Sequence, residues 1–486
     1  MTIPRVSIKK ADFQTGSASP SAVGIMAIIA ASDTGTVNVA GSYSRDDLLA
    51  NDNGNGPLVE YGSYMIQVGG NSIVAVKGAA STAGAFVGTI NTTGILGTSV
   101  VTTTGTPNDE YFASFTIVTG GTRGTAGITY TYSLDGQTQS GVQNLGTATS
   151  IVIPKSGVTF SLGAGTLLAG DTASQYTSRP IQTDADVAAA LEGLRQTRLP
   201  WEGVLIDCTF GTGTVGLVDT WLAGLENKGQ FHFALLNLRH KTQPVPTGET
   251  ENAYGTFAAA AVASQASIRL CVGGDAAAYT STRTGWSQPR PTSMFLAARL
   301  MFIPVGEDPA YVGRGSVSGA TIADGKGNPL WHDEDLFETL DAQRIVSLRS
   351  FNLPGPQGTF FTNGNVLSPF GSDFVWIQHV RTANLAANIV WPVLVRLLSL
   401  GVGKKPKDPQ TGVVTIQEKD AARIEALCNL ALEQPLKGQL NGVKFVLSRT
   451  DNLSSNNSST VTGQILLVAI DYIKTFQITE AFVPSL

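Results

Sequence analysis

The sequence predicts a multidomain α+β protein with a layered α/β core assembled from N- and C-terminal parts, an inserted small antiparallel β-domain and terminal strand arms. Three observations lead to this fold class. The chain has 486 residues, more than one ordinary core accommodates. Strand-like and helix-like segments alternate over residues 181–350, which favours a largely parallel sheet. Residues 86–180 are rich in Thr and Gly and contain many turn signals, which indicates an antiparallel domain.

Composition narrows the functional classes. Hydrophobic residues make up 42% and charged residues only 14% of the chain, so most of it should fold. The formal net charge of -5 is mild and no long basic run exists, so direct nucleic-acid binding is not expected. Cys208, Cys271 and Cys428 lie far apart in apolar segments, where we expect buried free thiols and folding in a reducing cytosol.

No membrane span is expected. The start of the chain does not resemble a signal peptide. The apolar run over residues 386–402 is interrupted by Pro392 and Arg396, so it reads as a helix buried in protein.

Both ends of the chain are predicted to be short strands. Residues 1–20 form an arm in which apolar and polar side chains alternate before a flexible linker, and residues 474–486 alternate in the same way. A strand at a terminus has an unpaired edge that can bind a partner. The apolar arm positions that we single out are Val6, Ile8, Phe476, Ile478 and Phe482.

The α/β middle domain is expected to combine residues 21–85 with residues 181–350. In its first part, strands are predicted at 23–30 and 73–77. In its second part, Thr183 and Asp186 form a cap-like pattern before a helix. The alternating elements that follow are predicted as strands at 203–208, 231–238 and 268–272 and helices at 217–226 and 254–264.

Residues 351–473 are predicted to form a C-terminal domain. Thr415 and Glu418 have the spacing of a capping box before an apolar-periodic helix. A strand is predicted at 443–448. The segment 464–472 is apolar on both faces, which predicts a central, buried strand.

One motif suggests an enzyme. Gly211, Gly213 and Gly216 form a G-x-G-x-x-G pattern between a predicted strand and a predicted helix, where a dinucleotide site would lie. The next strand ends without an acidic residue for a ribose, although Arg239 and Lys241 offer charge for a 2′-phosphate. In so glycine-rich a chain we interpret the pattern as a strand-to-helix turn. No metal-ligand spacing exists among the four histidines, so we expect no catalytic residues, cofactor or metal.

Three stretches carry a family likeness: residues 290–319, residues 371–402 with Arg381 and Asn384, and residues 412–486. Their order resembles the C-terminal region of contractile tail sheath proteins, which form the outer sleeve of myophage tails and related contractile injection systems. This resemblance implies a structural subunit and not an enzyme. It implies arms that pair with neighbouring subunits, a homo-oligomer of stacked hexameric rings, and the inner tail tube, baseplate and tail terminator proteins as partners.

The resemblance further implies that the sleeve contracts and drives the tube through the host envelope for genome delivery. The C-terminal domain would face the tube, where Lys404, Lys405 and Lys407 could offer positive charge, unless they form an exposed, solvated turn. The inserted β-domain would face outward. The subunit would belong to the virion tail and assemble in the host cytoplasm. The alternatives are the sheath of a contractile bacteriocin or other injection system, a nucleotide-binding enzyme, and a non-contractile surface or adhesion protein.

Overall fold

The computed structural model describes residues 23–241, 249–322, 334–351, 356–369, 371–398, 402–406, 413–453 and 460–474. Two compact units are present. The larger, called the core unit, is formed by described residues within Lys9–Ile303 and Pro309–Val380. The smaller, called the terminal unit, is formed by those within Pro304–Asp308 and Arg381–Leu486.

The fold is mixed α+β. The strands of the described residues are β1 Met26–Ala30, β2 Ala40–Tyr43, β3 Ile73–Lys77, β4 Ala85–Gly94, β5 Val101–Thr104, β6 Phe112–Thr119, β7 Gly121–Thr122, β8 Thr129–Ser133, β9 Gln143–Asn144, β10 Ser150–Ile153, β11 Val158–Leu162, β12 Thr166–Leu167, β13 Thr172–Ser178, β14 Gly203–Ile206, β15 Phe233–Asn237, β16 Leu270–Gly273, β17 Ala276–Thr280, β18 Ser287–Pro291, β19 Ala320–Thr321, β20 Ile345–Val346, β21 Leu348–Ser350, β22 Thr359–Phe361, β23 Gly442–Leu447 and β24 Gly463–Val468. The α-helices of the same residues are α1 Asp46–Asn53, α2 Pro57–Gly69, α3 Asp184–Gln196, α4 Thr212–Glu226, α5 Glu251–Val262, α6 Thr292–Phe302, α7 Glu334–Ala342, α8 Ile377–Arg396 and α9 Glu418–Glu433.

A seven-stranded sheet organises the core unit, with strand order β2-β3-β1-β14-β15-β16-β20. Its strands pair in parallel except for β2, which is antiparallel to β3. The strand–helix alternation of the sequence predicts a largely parallel sheet, and the strand pairing confirms that part of the prediction. The inner strands are buried runs of apolar residues because both faces of a parallel sheet are covered.

Helices cover both faces of this sheet. Met26 and Ile28 point into a core shared with α2 and α6, whereas Ala27 and Ile29 point into a core shared with α3, α4 and α5. Each large aliphatic side chain buried here contributes about 1.5–3 kcal/mol relative to exposure. All three cysteines are buried and free, as expected.

The Thr/Gly-rich segment folds as antiparallel sheets between β3 and α3. One sheet has the order β4-β13-β6-β8-β9 and another the order β10-β11-β5. They share an apolar core in which the rings of Phe115 and Phe160 contact edge to face at 5.1 Å. We call residues 85–178 the insert.

Two capping predictions had opposite outcomes. At α3 the Thr183 hydroxyl accepts from the Asp186 amide and the Asp186 carboxylate accepts from the Thr183 amide, so the predicted capping box is confirmed. At α9 the prediction is wrong. The Thr415 carbonyl accepts from the Lys405 amide, which keeps the chain extended to Gln417, and the helix begins at Glu418.

The predicted central strand near the C-terminus is also different in the structure. It is β24, it ends at Val468, and within the described residues it pairs only with β23. Its inner face packs on α9, but Leu466 and Val468 on the outer face are exposed. Among the described residues the strand is therefore neither central nor buried.

Candidate functional site

The place where a doubly wound sheet usually binds ligands is filled by the protein itself. Such sites lie beyond the carboxyl ends of the strands where the strand order reverses, here between β1 and β14. Asn108 of the insert donates to Asp33, just after β1, with Nδ2–Oδ2 2.9 Å. Arg179, directly after the insert, donates to Asp207, which follows β14, at 2.9 and 3.2 Å. These contacts place side chains of the insert and of Arg179 at the carboxyl ends of β1 and β14.

A cluster of charged side chains extends from this point and joins the insert to the rest of the core unit. We call it the junction cluster, and its members are Glu60, Asp109, Glu110, Arg179, Asp207, His240, Arg283 and Arg290. Arg290 forms a bidentate pair with Asp109 at 2.8 and 2.9 Å, and both side chains are 1% exposed. Burial tends to lower the pKa of Arg290, but Asp109 outweighs it and raises that pKa.

The glycine pattern begins at Gly211, the N-cap of α4, and continues into the helix at Gly213 and Gly216. Asp184 lies at this helix N-terminus, where its carboxylate accepts from the Thr214 hydroxyl at 2.7 Å. A Cβ atom added at Gly213 would lie 3.0 Å from the Asp184 carboxylate. The chain thus places an anionic group of its own where a helix N-terminus favours negative charge.

The basic residues after β15 are also paired. Arg239 forms a bidentate pair with Glu249 at 2.7 and 2.8 Å, and Lys241 contacts Asp275 at 3.2 Å. Both cations therefore already pair with carboxylates of this chain, although the sequence suggested them as partners for the 2′-phosphate of a dinucleotide. The geometry of this region argues against the nucleotide-binding alternative.

A cavity of about 320 Å³ lies between α2, α6 and the segment that precedes β19. Its polar groups bond to the cavity wall: the Tyr64 hydroxyl donates to the Ser318 carbonyl at 2.9 Å and Arg299 to the Gly315 carbonyl at 2.7 Å. Within the described residues, no group of three or more His, Cys, Asp or Glu side chains could hold a metal ion. Among the same residues, no helix has the length and apolarity that a membrane span needs.

The terminal unit instead offers surfaces suited to assembly. Its core joins α9 to the β23–β24 hairpin through Ile424, Cys428, Phe445 and Leu447. Arg449 fixes the hairpin to α9 through bonds to two helix carboxylates, those of Glu418 and Glu425. The hairpin is therefore held firmly, although its outer face is not covered.

Two sets of apolar side chains in this unit are exposed. Leu466 and Val468 lie on the outer face of the hairpin, which we call the hairpin outer face. Leu427 and Leu430 lie on α9, away from the buried Ile424 and Cys428, and Leu430 is 69% exposed. We call this second set the α9 outer stripe. Our sequence reasoning missed the α9 outer stripe. Both leucines lie outside the stripe of residues that α9 buries.

The site residues expected from sequence are only partly described by the structure. Val6, Ile8, Phe476, Ile478, Phe482 and Lys407 lie outside the described residues. Lys404 and Lys405 are exposed, and the Lys404 ammonium donates to the Leu453 carbonyl at 2.8 Å. Their expected contact with a tube stays a prediction.

Comparison with known proteins gives the class to which this fold belongs. A chain of the extracellular contractile injection system PVC sheath complex in the contracted state is 11% identical, with a TM-score of 0.54, and the match covers 99% of this chain and 98% of that chain. A chain of the anti-feeding prophage helical sheath in the contracted state is 11% identical, with a TM-score of 0.52 and 99% of both chains covered. A chain of the anti-feeding prophage baseplate is 10% identical, with a TM-score of 0.51 and 99% of both covered.

The chain therefore has the fold of contractile sheath proteins over nearly its whole length. At the level of sequence, residues 3–365 match the DUF2586 N-terminal domain, and the chain belongs to that family. No protein of curated function matches it.

Proposed function

We propose that this protein is the structural subunit of a contractile sheath, which polymerises around an inner tube and contracts to drive that tube through a target envelope. One observation carries the proposal: the fold corresponds to that of sheath chains over 99% of this chain and 98–99% of theirs. A correspondence that includes the insert and the terminal unit favours a whole sheath subunit over a shared α/β core alone.

The exposed strands of the terminal unit support a role in assembly. Within the described residues, β23 and β24 pair only with each other. The outer edge of β23 is engaged by α9, since the Phe445 amide donates to the Asn429 side chain and the Leu447 amide to the Glu425 carboxylate. The outer edge of β24 offers backbone groups to a further strand. We infer that terminal arms of neighbouring subunits add to the β24 edge, with Val6, Ile8, Phe476, Ile478 and Phe482 as the arm positions. Each such contact is head-to-tail, so it propagates along the sleeve.

In this proposal residues 351–473 face the tube and residues 86–180 face outward. Lys404, Lys405 and Lys407 are the proposed tube contacts, through attraction to an acidic tube surface. Stacked hexameric rings, an inner tube protein, a baseplate and a tail terminator are the proposed partners. In a phage the contraction would deliver a genome, and the same subunit would serve a contractile bacteriocin or another injection system.

Contraction needs no catalytic group. An extended sleeve would be trapped during assembly around the tube, and rotation of the subunits would repack their interfaces, while exchanged arms keep them connected. Arg179 bonds to Asp207 in the sheet crevice, and Thr214 bonds to Asp184 at the start of α4. Both contacts agree with a structural role.

Negative-stain microscopy of the full-length protein, alone and with its tube protein, tests the proposal. The truncations to compare lack residues 1–16 or residues 474–486, with circular dichroism to establish that each stays folded. We expect hollow tubes or stacked rings from the full chain and their loss in both truncations. Truncations that assemble like the full chain would refute arm exchange. A full chain that stays monomeric with and without the tube protein would refute the sheath function.

A further inference from the structure

We propose that a proton on His240 latches the insert to the core unit through Glu110, and that the latch weakens as rising pH removes this proton. This pH-sensitive device is independent of the sheath function. It concerns two groups 130 residues apart in sequence, one in the insert and one beyond β15.

The geometry is that of a buried charge-assisted hydrogen bond. His240 Nε2 lies 2.6 Å from Glu110 Oε1, and the side chains are only 15% and 18% exposed. The second carboxylate oxygen of Glu110 faces Arg179 Nη1 at 3.4 Å. A neutral imidazole can also donate here, but only an imidazolium adds opposite charge, which makes the bond shorter and stronger.

The charge count of the junction cluster favours the protonated form. Its carboxylates are those of Glu60, Asp109, Glu110 and Asp207, and its guanidiniums are those of Arg179, Arg283 and Arg290. Four negative charges thus meet three positive ones, and a protonated His240 makes the cluster neutral. An uncompensated charge in so buried a place is strongly destabilising.

The other charged groups around His240 do not change the charge count of the junction cluster. Arg179 approaches from the insert side, while Lys241 and Asp275 pair with each other on the core side at 3.2 Å. Burial and Arg179 act to lower the pKa of His240, but Glu110 and Asp275 outweigh them and raise it above its ordinary value. Burial alone would raise the pKa of Glu110, yet His240 and Arg179 hold it below its usual range.

The direction of the pH effect follows from these shifts. Because the pKa of His240 is higher in the folded than in the unfolded chain, the stabilisation is fully present below the unfolded value of about 6.5. It is lost as the pH rises through the folded pKa. Glu110, with its lowered pKa, stays ionised over this range. Contacts outside the cluster still hold the insert at high pH, among them the Trp286–Tyr132 ring contact and the Ser287–Asp135 and Asn108–Asp33 hydrogen bonds.

The test is a pH-dependent double-mutant cycle in the full-length chain, using His240→Gln, Glu110→Gln and the double variant. We expect His240→Gln to lower the Tm by roughly 2–4 °C at about pH 6 and by clearly less at about pH 9. The coupling free energy between the two substitutions should likewise be larger at the lower pH than at the higher pH. His232→Gln is the matched control. Burial lowers the pKa of His232 to about 4, below the unfolded value of about 6.5, so His232 contributes less stability at about pH 6 than at about pH 9 and this variant should show the opposite trend.

A second measurement does not depend on the stability of any variant. In the full-length chain with ¹³C-labelled imidazoles, the histidine resonance that His240→Gln removes should titrate above about 6.5. Titration of that resonance at or below this value, or a coupling between His240 and Glu110 that is the same at both pH values, would overturn the latch.

Discussion

Replacing Arg290 by Met should destabilise the protein far more than an ordinary substitution of arginine. Arg290 and Asp109 are each 1% exposed and share hydrogen bonds of 2.8 and 2.9 Å. Arg290→Met leaves the Asp109 carboxylate buried without its counter-ion. Breaking such a pair on one side costs about 3–5 kcal/mol. The ring of Tyr61, 5.5 Å from the guanidinium, would lose a cation–π contact as well.

The assay is urea denaturation at neutral pH, followed by far-UV circular dichroism. The matched control is Arg195→Met, since Arg195 pairs with Glu192 on an exposed helix face and such pairs contribute about 0–1 kcal/mol. The double variant Arg290→Met/Asp109→Leu removes both charges and should recover most of the lost stability. A cost below about 1 kcal/mol for Arg290→Met, or no recovery in the double variant, would refute the reasoning.

Three further predictions concern other parts of the molecule. The Asp186 carboxylate accepts hydrogen bonds from Ser81 and Thr183. Burial alone would raise its pKa, but these hydrogen bonds outweigh burial and lower the pKa to about 2. Its stabilisation is thus present above about pH 4 and lost as the pH falls towards 2, so thermal unfolding of Asp186→Asn and wild type should converge there. Leu430→Glu on the α9 outer stripe should change stability by less than about 0.5 kcal/mol but reduce sheath assembly in sedimentation, and unchanged assembly would exclude the stripe from the interface. Calorimetric titration with NADP or ATP should give no binding signal, since Asp184 occupies the start of α4, and saturable binding would contradict that interpretation.

Much of the core unit follows from local sequence patterns. The buried strands are short apolar runs, and helices separate them, so parallel pairing is the simplest arrangement. The capping box at Thr183 and Asp186 is readable because its two residues are three positions apart. The Thr/Gly composition of residues 86–180 likewise reflects turns that antiparallel strands need.

What local patterns cannot predict is contact between distant segments. Asp109 and Arg290 are separated by 181 positions, and nothing near either residue indicates the other. Asp184 at the start of α4 is a tertiary contact that makes a nucleotide-like pattern misleading. The capping box predicted at Thr415 fails for the same reason, because pairing of Thr415 with Lys405 delays the helix to Glu418.

The outer face of β24 shows how an exposed strand face can look like a core element in sequence. Its residues are apolar on both faces, which predicts burial, yet Leu466 and Val468 are exposed in a single subunit. In our proposal the missing cover comes from neighbouring subunits, so the sequence pattern describes the assembled protein.

A cryo-electron microscopy reconstruction of the full-length protein assembled with its tube protein tests the central claim most directly. The account predicts a helical sleeve of stacked rings in which added strands from neighbouring subunits pair with the outer edge of β24. A particle without helical order, or a sleeve in which that edge remains unpaired, would contradict it.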